Sequence, residues 1–275
     1  MLKLLLTVIL VLICTACSSI HTPQSKPEAA LPPAVTQEPA QPELSGQLQR
    51  SLEQFNGQTG LYGKNLQTGQ VFAFNQDSIF PTASTHKLVV ALAIYKYVYQ
   101  NSSIADKQRF DTSIKDMIVA SDNPAFYDLL ADIEQKQPDA LTRVLSDLKL
   151  VHTRIHSREA FAEYGYHSVT TPYEMATVLE TIYNETYLGK EFSAILKEEL
   201  ANTIYQDEIP RLLPNAKVLH KVGELPGVQC DVGIIDDGHA QILLSVYTTT
   251  HLPPPYASDF IAATSAQTYN LLRSK

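Results

Sequence analysis

The sequence has 275 residues, of which 44% are hydrophobic and 18% charged, and its formal net charge is -8. A chain of this kind can bury an ordinary hydrophobic core without disulfides or metal ions. The acidic balance, with no basic cluster anywhere, excludes nucleic acid from the expected partners, because a phosphate backbone must be neutralised by Lys and Arg.

The N-terminus has the pattern of an export signal. Lys3 precedes the apolar run Leu4–Ile13, which is too short to span a bilayer. The small residues before Cys17 resemble a bacterial lipoprotein signal, in which this cysteine carries lipid and becomes the mature N-terminus. An ordinary secretory signal cleaved nearby is the alternative. Residues 18–45 are rich in Pro, Gln, Ala, Glu and Ser, which is typical of a flexible tether and favours the lipoprotein.

This reading divides the chain into a signal at 1–17, a tether at 18–45 and one domain at 46–275. We expect an exported protein that is anchored in the cell envelope through lipid on Cys17, and a monomer. Cys14 leaves with the signal, so Cys230 is the only cysteine of the domain and no internal disulfide can form. The eight histidines show no ligand spacing with cysteine or acid, so we expect no metal and no cofactor.

Strand patterns occur near both ends of the domain. A short helix at 46–55 is followed by strands at 61–66 and 70–74, which are joined by a turn containing Gly69. Further strands are predicted at 217–221, 232–235 and 241–248. Residues 236–239 form a strong hairpin turn between the last two, and a closing helix is predicted at 259–275.

The middle of the domain is mostly helical from Ser84 to Ala201, apart from an aperiodic loop at 153–171. The pattern predicts an α+β fold with one antiparallel sheet built from both termini and flanked by helices. The sheet part covers 46–83 and 203–275, and an all-helical subdomain at 84–202 is inserted between them.

One serine and one lysine stand where the apolar block Leu88–Tyr95 begins. Ser84 and Lys87 are three residues apart, so on a helix their Cβ atoms lie about 5–6 Å apart. Burial lowers a lysine's pKa towards a neutral amine that can accept a proton, and free backbone N–H groups at the helix start can hold an oxyanion. The pattern predicts a nucleophile and its base.

The same spacing has an ordinary explanation, in which Ser84 caps a helix and Lys87 extends into solvent. A second Ser-x-x-Lys pair, Ser146 and Lys149, lies among charged residues with leucines at helical spacing. We expect that lysine to lie in solvent. Only the setting of Ser84 is apolar, and further residues must decide between the two explanations.

Two more segments supply those residues. Ser121-Asp122-Asn123 follows a helical stretch, and Lys221-Val222-Gly223 ends a strand. Ser-x-x-Lys, Ser-Asp-Asn and Lys-x-Gly in this order resemble the penicillin-recognising serine enzymes, and among them the class A β-lactamases. The resemblance covers the chain from about Leu44. It implies a β-lactamase-like fold and a serine hydrolase that opens the β-lactam amide bond through an acyl-enzyme on Ser84.

The resemblance also implies catalytic roles. Ser84 attacks the carbonyl, and either Lys87 or a water bound by Glu159 takes its proton. Ser121 passes a proton to the leaving nitrogen, with Lys221 nearby to lower the electrostatic cost.

Other positions are implied to bind substrate. Asn123 would hydrogen-bond the amide side chain of the substrate, and Lys221 and Gly223 belong to the strand that lies along it. Backbone N–H groups of Ser84 and Glu224 would hold the oxyanion. Asp122 is expected to have a structural role.

The role expected for Glu159 depends on the sequence around it. Residues 153–159, followed by the helix start Thr171-Pro172-Tyr173-Glu174, look like the Ω loop of class A enzymes and the helix after it. The resemblance implies that Glu159 activates the water that releases the acyl group. The alternative is a surface glutamate in a solvated loop.

Several positions depart from the family. Val222 replaces the usual Thr or Ser, and no arginine occurs between Val222 and Thr250, so binding of the substrate carboxylate would rest largely on Lys221. The stretch between Lys87 and Ser121 is short, and Ser157 replaces the arginine of the Ω loop.

Two other functions therefore compete with β-lactamase. One is a D-alanyl-D-alanine peptidase that acts on the peptidoglycan stem peptide. The other is a non-catalytic envelope lipoprotein related to penicillin-binding proteins.

Overall fold

Both ends of the chain contribute strands to one antiparallel sheet. The structure, a computed structural model, describes residues 41–273. The sheet has the strand order β2-β1-β7-β6-β5, so β5 is an edge strand. Its strands are β1 (Gln58–Asn65), β2 (Val71–Phe74), β5 (Lys217–Leu225), β6 (Val228–Asp236) and β7 (Gln241–Thr249).

The helices flank this sheet or belong to the inserted part. They are α1 (Gln41–Glu53), α2 (Lys87–Ala93), α3 (Ile104–Val119), α4 (Asn123–Lys136), α5 (Ala140–Asp147), α6 (Arg158–Tyr164), α7 (Pro172–Tyr183), α8 (Lys190–Ala201) and α9 (Pro254–Arg273). The predicted α+β architecture is confirmed. No helix within residues 41–273 is both long and apolar enough to cross a membrane.

The first and last helices begin earlier than predicted. α1 starts at Gln41 instead of residue 46, and α9 starts at Pro254 instead of residue 259. Prolines stand in both first turns, where the missing N–H costs nothing, and the two helices pack against each other. Residues 41–45 are therefore helical and not tether. The predicted signal, the lipidation of Cys17 and the remaining tether lie outside the described residues.

Glycine turns join the strands as predicted. Gly69 and Gly238 have φ angles of 76° and 82°, a region that glycine enters without steric cost. β5 and β6 are both longer than predicted, and a further tight turn at Gly227, with φ 74°, joins them. This extension carries β5 past Gly223 and Glu224.

α2 is the central helix of the domain. Leu88, Val89, Val90, Ala91, Leu92 and Ala93 are all fully buried, as the unbroken apolar block predicts. A π-helical turn at Ile94–Val98 and a 3₁₀ turn at Tyr99–Asn101 continue it. Each buried Leu or Val contributes about 1.5–3 kcal/mol of transfer free energy, so the start of α2 is held firmly.

A short two-stranded sheet was not predicted. β3 (Phe80–Pro81) pairs with β4 (Val169–Thr170), and Thr82 N donates to Ser168 O at 3.1 Å. Strands of two residues are too short to show a hydrophobic period. The pairing ties the segment before Ser84 to the loop that follows α6.

Candidate active site

Ser84 lies on a 3₁₀ turn, Ala83–His86, that leads directly into α2. It lines two cavities of about 470 and 520 Å³, and its hydroxyl makes no hydrogen bond within the described part of the chain. Ser84 does not cap the helix, because the cap positions are Thr82 for the turn and His86 for α2. Ala83 has a φ of 42°, and such strain in a non-glycine residue is concentrated at functional sites.

Lys87 is buried one helical turn from Ser84, with 1% of its surface exposed. Its Nζ donates to Ser121 O at 2.6 Å and to Asn123 Oδ1 at 2.8 Å, and it lies 3.3 Å from Ser121 Oγ. Burial lowers the pKa of Lys87 to about 8, against the opposing charge of Asp122. A substantial share of this amine is therefore neutral near physiological pH and can accept a proton.

Lys221 approaches the same serine from β5. It is fully buried, and its Nζ donates to Ser121 Oγ at 3.0 Å and to Val222 O at 2.8 Å. Burial, and then the charge of Lys87, lower the pKa of Lys221 to about 7, while Asp231 opposes the shift. Asp231 is itself paired with His220, whose Nδ1 lies 2.9 Å from its Oδ2.

Ser121 lies between the two lysines in a left-handed conformation, with a φ of 56°. α3 ends at Val119 and α4 begins at Asn123, so the connecting turn is very short. Asp122 caps α4 by accepting from Ala125 N at 2.7 Å, which confirms its predicted structural role. The turn fixes the Ser121 hydroxyl where both amines reach it.

β5 passes very close to the turn that carries Ser84. A Cβ on Gly223 would lie 2.8 Å from Ser84 N and 2.9 Å from Ala83 Cβ, so only glycine fits. Glu224 follows, and it lines both cavities with Ser84. Cys230 is buried behind Gly223, and burial raises the pKa of its thiol. This thiol therefore stays protonated and unreactive.

Val222 lines the 520 Å³ cavity together with Ser121, Asn123 and Tyr205. Tyr205 lies in a segment without periodicity, and nothing in the sequence singled it out. Its hydroxyl donates to Ala120 O at 3.1 Å. Arginine is not among the residues that line either cavity, and Lys221 is fully buried and lines neither of them.

Glu159 lies apart from this group, so its role in releasing the acyl group stays a prediction from the resemblance to the Ω loop. Its side chain is exposed and lines neither cavity that contains Ser84. Ser157 caps α6 by accepting from Ala160 N, and it donates to Glu159 Oε2 at 2.8 Å. Hydrogen bonds from its own backbone and from Ser157 lower the pKa of Glu159. The carboxylate therefore belongs to a helix cap.

Three histidines to which the sequence analysis gave no role line the 470 Å³ cavity beside Ser84. They are His86, which lies within Ser84-x-x-Lys87, His156, which lies within residues 153–159, and His167. They are distant in sequence and fall into no known spacing, so only the fold brings them together. No group of three or more His, Cys, Asp or Glu side chains within residues 41–273 is arranged to hold a metal ion.

The second Ser-x-x-Lys pair behaves as predicted. Ser146 and Lys149 are both exposed at the end of α5. The contrast with Ser84 and Lys87 shows that burial, and not spacing, distinguishes the two pairs.

The arrangement at Ser84 is that of a serine acyl-transfer site. Ser84 precedes by three residues a buried lysine of lowered pKa, and the hydroxyl of Ser121 bridges this amine to another buried lysine. Such a site activates a serine without a histidine or a carboxylate.

Comparison with known proteins agrees with this class. Residues 43–113 and 106–272 match the family described as Beta-lactamase enzyme family. The chain therefore belongs to the β-lactamase enzyme family. No curated protein matches the sequence significantly.

Solved structures share the fold at low sequence identity. An ancestral class A β-lactamase aligns with a TM-score of 0.71 and 24% identity, over 82% of this chain and 99% of that one. A mutant of PBP-A in an acyl-enzyme complex with penicillin G aligns with a TM-score of 0.71 and 21% identity, over 83% and 96%. A β-lactamase from Sphaerobacter thermophilus aligns with a TM-score of 0.68 and 18% identity, over 84% and 95%.

Proposed function

We propose that the protein is a serine β-lactamase that hydrolyses the β-lactam amide bond through an acyl-enzyme on Ser84. The observation that carries this proposal is the buried pair Lys87 and Lys221 on either side of Ser121 Oγ, at 3.3 and 3.0 Å. Two amines with pKa values lowered to about 8 and about 7 provide one proton acceptor and one cation in the same site.

In acylation, neutral Lys87 takes the proton of the Ser84 hydroxyl while Oγ attacks the lactam carbonyl. Backbone N–H groups of Ser84 and Glu224 hold the oxyanion, and the close passage of β5 at Gly223 sets their separation. Collapse of the tetrahedral intermediate breaks the C–N bond, and Ser121 passes a proton to the leaving nitrogen. The negative charge of a bound substrate carboxylate raises the pKa of Lys221 above its value of about 7, so that Lys221 is the protonated lysine and attracts the carboxylate while Lys87 is neutral.

One observation favours a second candidate, a D-alanyl-D-alanine peptidase. It would use the same acylation residues on a peptidoglycan stem peptide, and it needs no fast hydrolysis of a penicillin ester. The exposed position of Glu159, outside both cavities, fits such an enzyme. In either case we propose an envelope protein, exported and anchored through lipid on Cys17, because its tether-like N-terminal sequence suits that location.

Replacing the nucleophile tests the proposal. Ser84→Ala is expected to abolish the covalent penicillin adduct seen by intact-protein mass spectrometry, because Ser84 is the only serine within residues 41–273 that has a buried lysine one helical turn away. Ser146→Ala is the matched control, since it removes the serine of the exposed pair, and it should form the adduct like the wild type. An adduct that survives Ser84→Ala, or that Ser146→Ala removes, would contradict the assignment.

A further inference from the structure

A further cavity, of about 660 Å³, adjoins the 470 Å³ cavity of Ser84, and we call it the distal cavity. Three segments of the chain line both cavities: residues 81–82, 164–169 and 225–226. Within these segments Thr82 and Leu225 line the 470 Å³ cavity, while the next residues outwards, Pro81 and Pro226, line the distal one. Tyr166 lines both. The two cavities therefore form one continuous cleft.

The pairing of β3 with β4 holds the two cavities next to each other. Pro81 pairs with Val169 in the distal cavity, and Thr82 N donates to Ser168 O at 3.1 Å in the cavity of Ser84. Pro81 stands three residues before Ser84, and three residues extend over at most about 11 Å. A group attached to Ser84 can therefore reach the distal cavity.

The position of Ser121 decides which part of a substrate points that way. Ser121, which serves the leaving nitrogen, lines the 520 Å³ cavity and not the 470 Å³ one. The leaving group therefore lies in the 520 Å³ cavity, and the acyl group points into the 470 Å³ cavity. Only the segment at 225–226 also borders the 520 Å³ cavity. The distal cavity thus continues the acyl side of the cleft.

The wall of the distal cavity is largely apolar. No Asp, Glu, Lys or Arg of the described residues 41–273 lines it, and its titratable groups are Tyr164, Tyr166 and His251. Its apolar side chains are those of Ile79, Phe80, Pro81, Val169, Pro226 and Leu252. A charged ligand would therefore find no opposite formal charge from an acid, a lysine or an arginine there.

Backbone polar groups of the same wall are already bonded within the protein. Thr250 N donates to Gly227 O at 2.9 Å, and Thr250 Oγ1 donates to Asn56 O at 2.6 Å and accepts from Leu252 N at 3.1 Å. Asn56 N donates to the hydroxyl of Tyr256 at 2.8 Å. A polar group that loses its water here gains no partner from these atoms, whereas an apolar group gains free energy by its burial.

We propose that the distal cavity binds the end of the substrate's acyl group, and that the preferred substrates are β-lactams whose acyl side chain ends in an uncharged apolar or aromatic group. The inference rests on the proposed acylation of Ser84 and adds a substrate class to it. The volume lies within the range of about 300–1,000 Å³ that is usual for small-molecule sites. Tyr164 and Tyr166 offer aromatic surface against which a ring can pack.

The test compares penicillins that share the reacting ring system and differ in the acyl side chain. They are 6-aminopenicillanic acid, which has none, penicillin G, which has one aromatic ring, and an N-acyl penicillin with two linked aromatic rings. Time-resolved mass spectrometry of the full protein gives the second-order rate constant of acylation for each. We expect the two-ring penicillin to react about 10–100 times faster than penicillin G, because its second ring is buried in the distal cavity. A terminal carboxylate on the second ring should remove this gain.

Two substitutions address the wall without touching the groups around Ser84. Leu252→Asp adds a charge at a side chain that is 37% exposed, and Gln58→Trp fills the cavity from an exposed position at the start of β1. Both should abolish the gain of the two-ring penicillin and leave 6-aminopenicillanic acid at the wild-type rate. Leu212→Asp is the matched control, because Leu212 is 51% exposed and lines none of the three cavities, and it should change no rate.

The remaining outcomes separate this inference from the proposed function. Equal rates for penicillin G and the two-ring penicillin in the wild type would show that the distal cavity binds no acyl group, while the adduct itself would still support acylation of Ser84. A faster reaction of the carboxylate-ended side chain would overturn the apolar assignment in favour of a charged acyl group. An equal loss with all penicillins in both wall variants would also overturn it. If the wild type forms no adduct with any of them, the proposed function itself fails.

Discussion

Two lysines donate to one serine hydroxyl at the centre of the site. When both are protonated, their charges repel and Ser121 has no neighbour that can accept its proton. Loss of one proton relieves the repulsion and leaves an amine and an ammonium around the same oxygen. That state contains both the base that Ser84 needs and the cation that a carboxylate substrate needs.

The acylation rate should therefore rise with pH across neutrality. The pKa values of Lys87 and Lys221 are lowered to about 8 and about 7, so the singly protonated pair becomes populated in this range. Below it the rate should fall about tenfold per pH unit, because the neutral amine becomes scarce. Stopped-flow measurement of penicillin acylation from about pH 5.5 to 9, corrected for spontaneous hydrolysis, checks this. A rate independent of pH across neutrality would show that neither lysine is the base.

At the residue scale, the sequence predicted what depends on motif and burial. The motifs predicted that Ser84, Lys87, Ser121 and Lys221 come together, and in the structure both lysines reach Ser121 Oγ while Ser84 and Ser121 line one cavity. The position of the Glu159 carboxylate was not predictable, because a hydrogen bond from Ser157, which spacing does not encode, holds it at the start of α6.

His86 and His156 were not predicted to line the cavity of Ser84. They come from segments 70 residues apart in the chain, and no local pattern predicts that they share a cavity.

At the element scale, one buried carboxylate fixes the loop that carries His156. Glu174 is 3% exposed and accepts from His152 N at 2.8 Å, Thr153 N at 2.7 Å and Thr153 Oγ1 at 2.6 Å. Its own helix, α7, starts with Thr171 as the cap, as the sequence predicted. α7 thus anchors both its own start and the loop at 152–153.

Glu174→Gln should loosen this loop. The amide replaces one acceptor oxygen with a donor that faces other N–H groups, which should destabilise the protein by about 1–3 kcal/mol in urea unfolding. We also expect nearly unchanged acylation, because the turn that carries Ser84 leads directly into the buried helix α2.

Glu180→Gln on the same helix is the control. It breaks only the partly exposed pair with Lys64 and should cost about 0–1 kcal/mol. Equal effects of the two substitutions, or a loss of acylation in Glu174→Gln, would contradict the proposed anchor.

Helices, strands and turns were predictable where the sequence contains a local pattern for them. The hairpin turns at Gly69 and Gly238 and the start of α7 carry such signals. β3 and β4 are two residues each and exist only because distant segments pair, so no local pattern could show them.

At the scale of the whole molecule, the site is built at the expense of stability. The central helix begins with a buried lysine, and β5 places a second one at a fully buried position. Burying a cation away from water is unfavourable, and this cost is the main reason that the pKa of each lysine is lowered. The apolar core around α2 offsets this cost and keeps the site in place.

Lys87→Met should therefore make the protein more stable and inactive. Methionine has a similar length, it can pack against the ring of Phe126, which lies 5.8 Å from Nζ, and water in the cavity can bind the freed oxygens of Ser121 and Asn123. We expect a gain of about 1–2 kcal/mol at pH 7 and loss of acylation.

The pH dependence of that gain identifies its origin. Lysine in the unfolded chain has a pKa of about 10.4, whereas the folded state lowers the pKa of Lys87 to about 8. Between these values the unfolded state binds more protons, so the stability of the wild type rises with pH. The advantage of Lys87→Met should thus be largest below about pH 8 and shrink towards pH 10.

Lys149→Met, at the exposed pair, should change stability by less than about 0.5 kcal/mol at every pH. Urea unfolding of the three proteins at pH 7 and at about pH 9.5 decides the matter. A gain that is the same at both pH values would show that it comes from packing and not from relief of a buried charge.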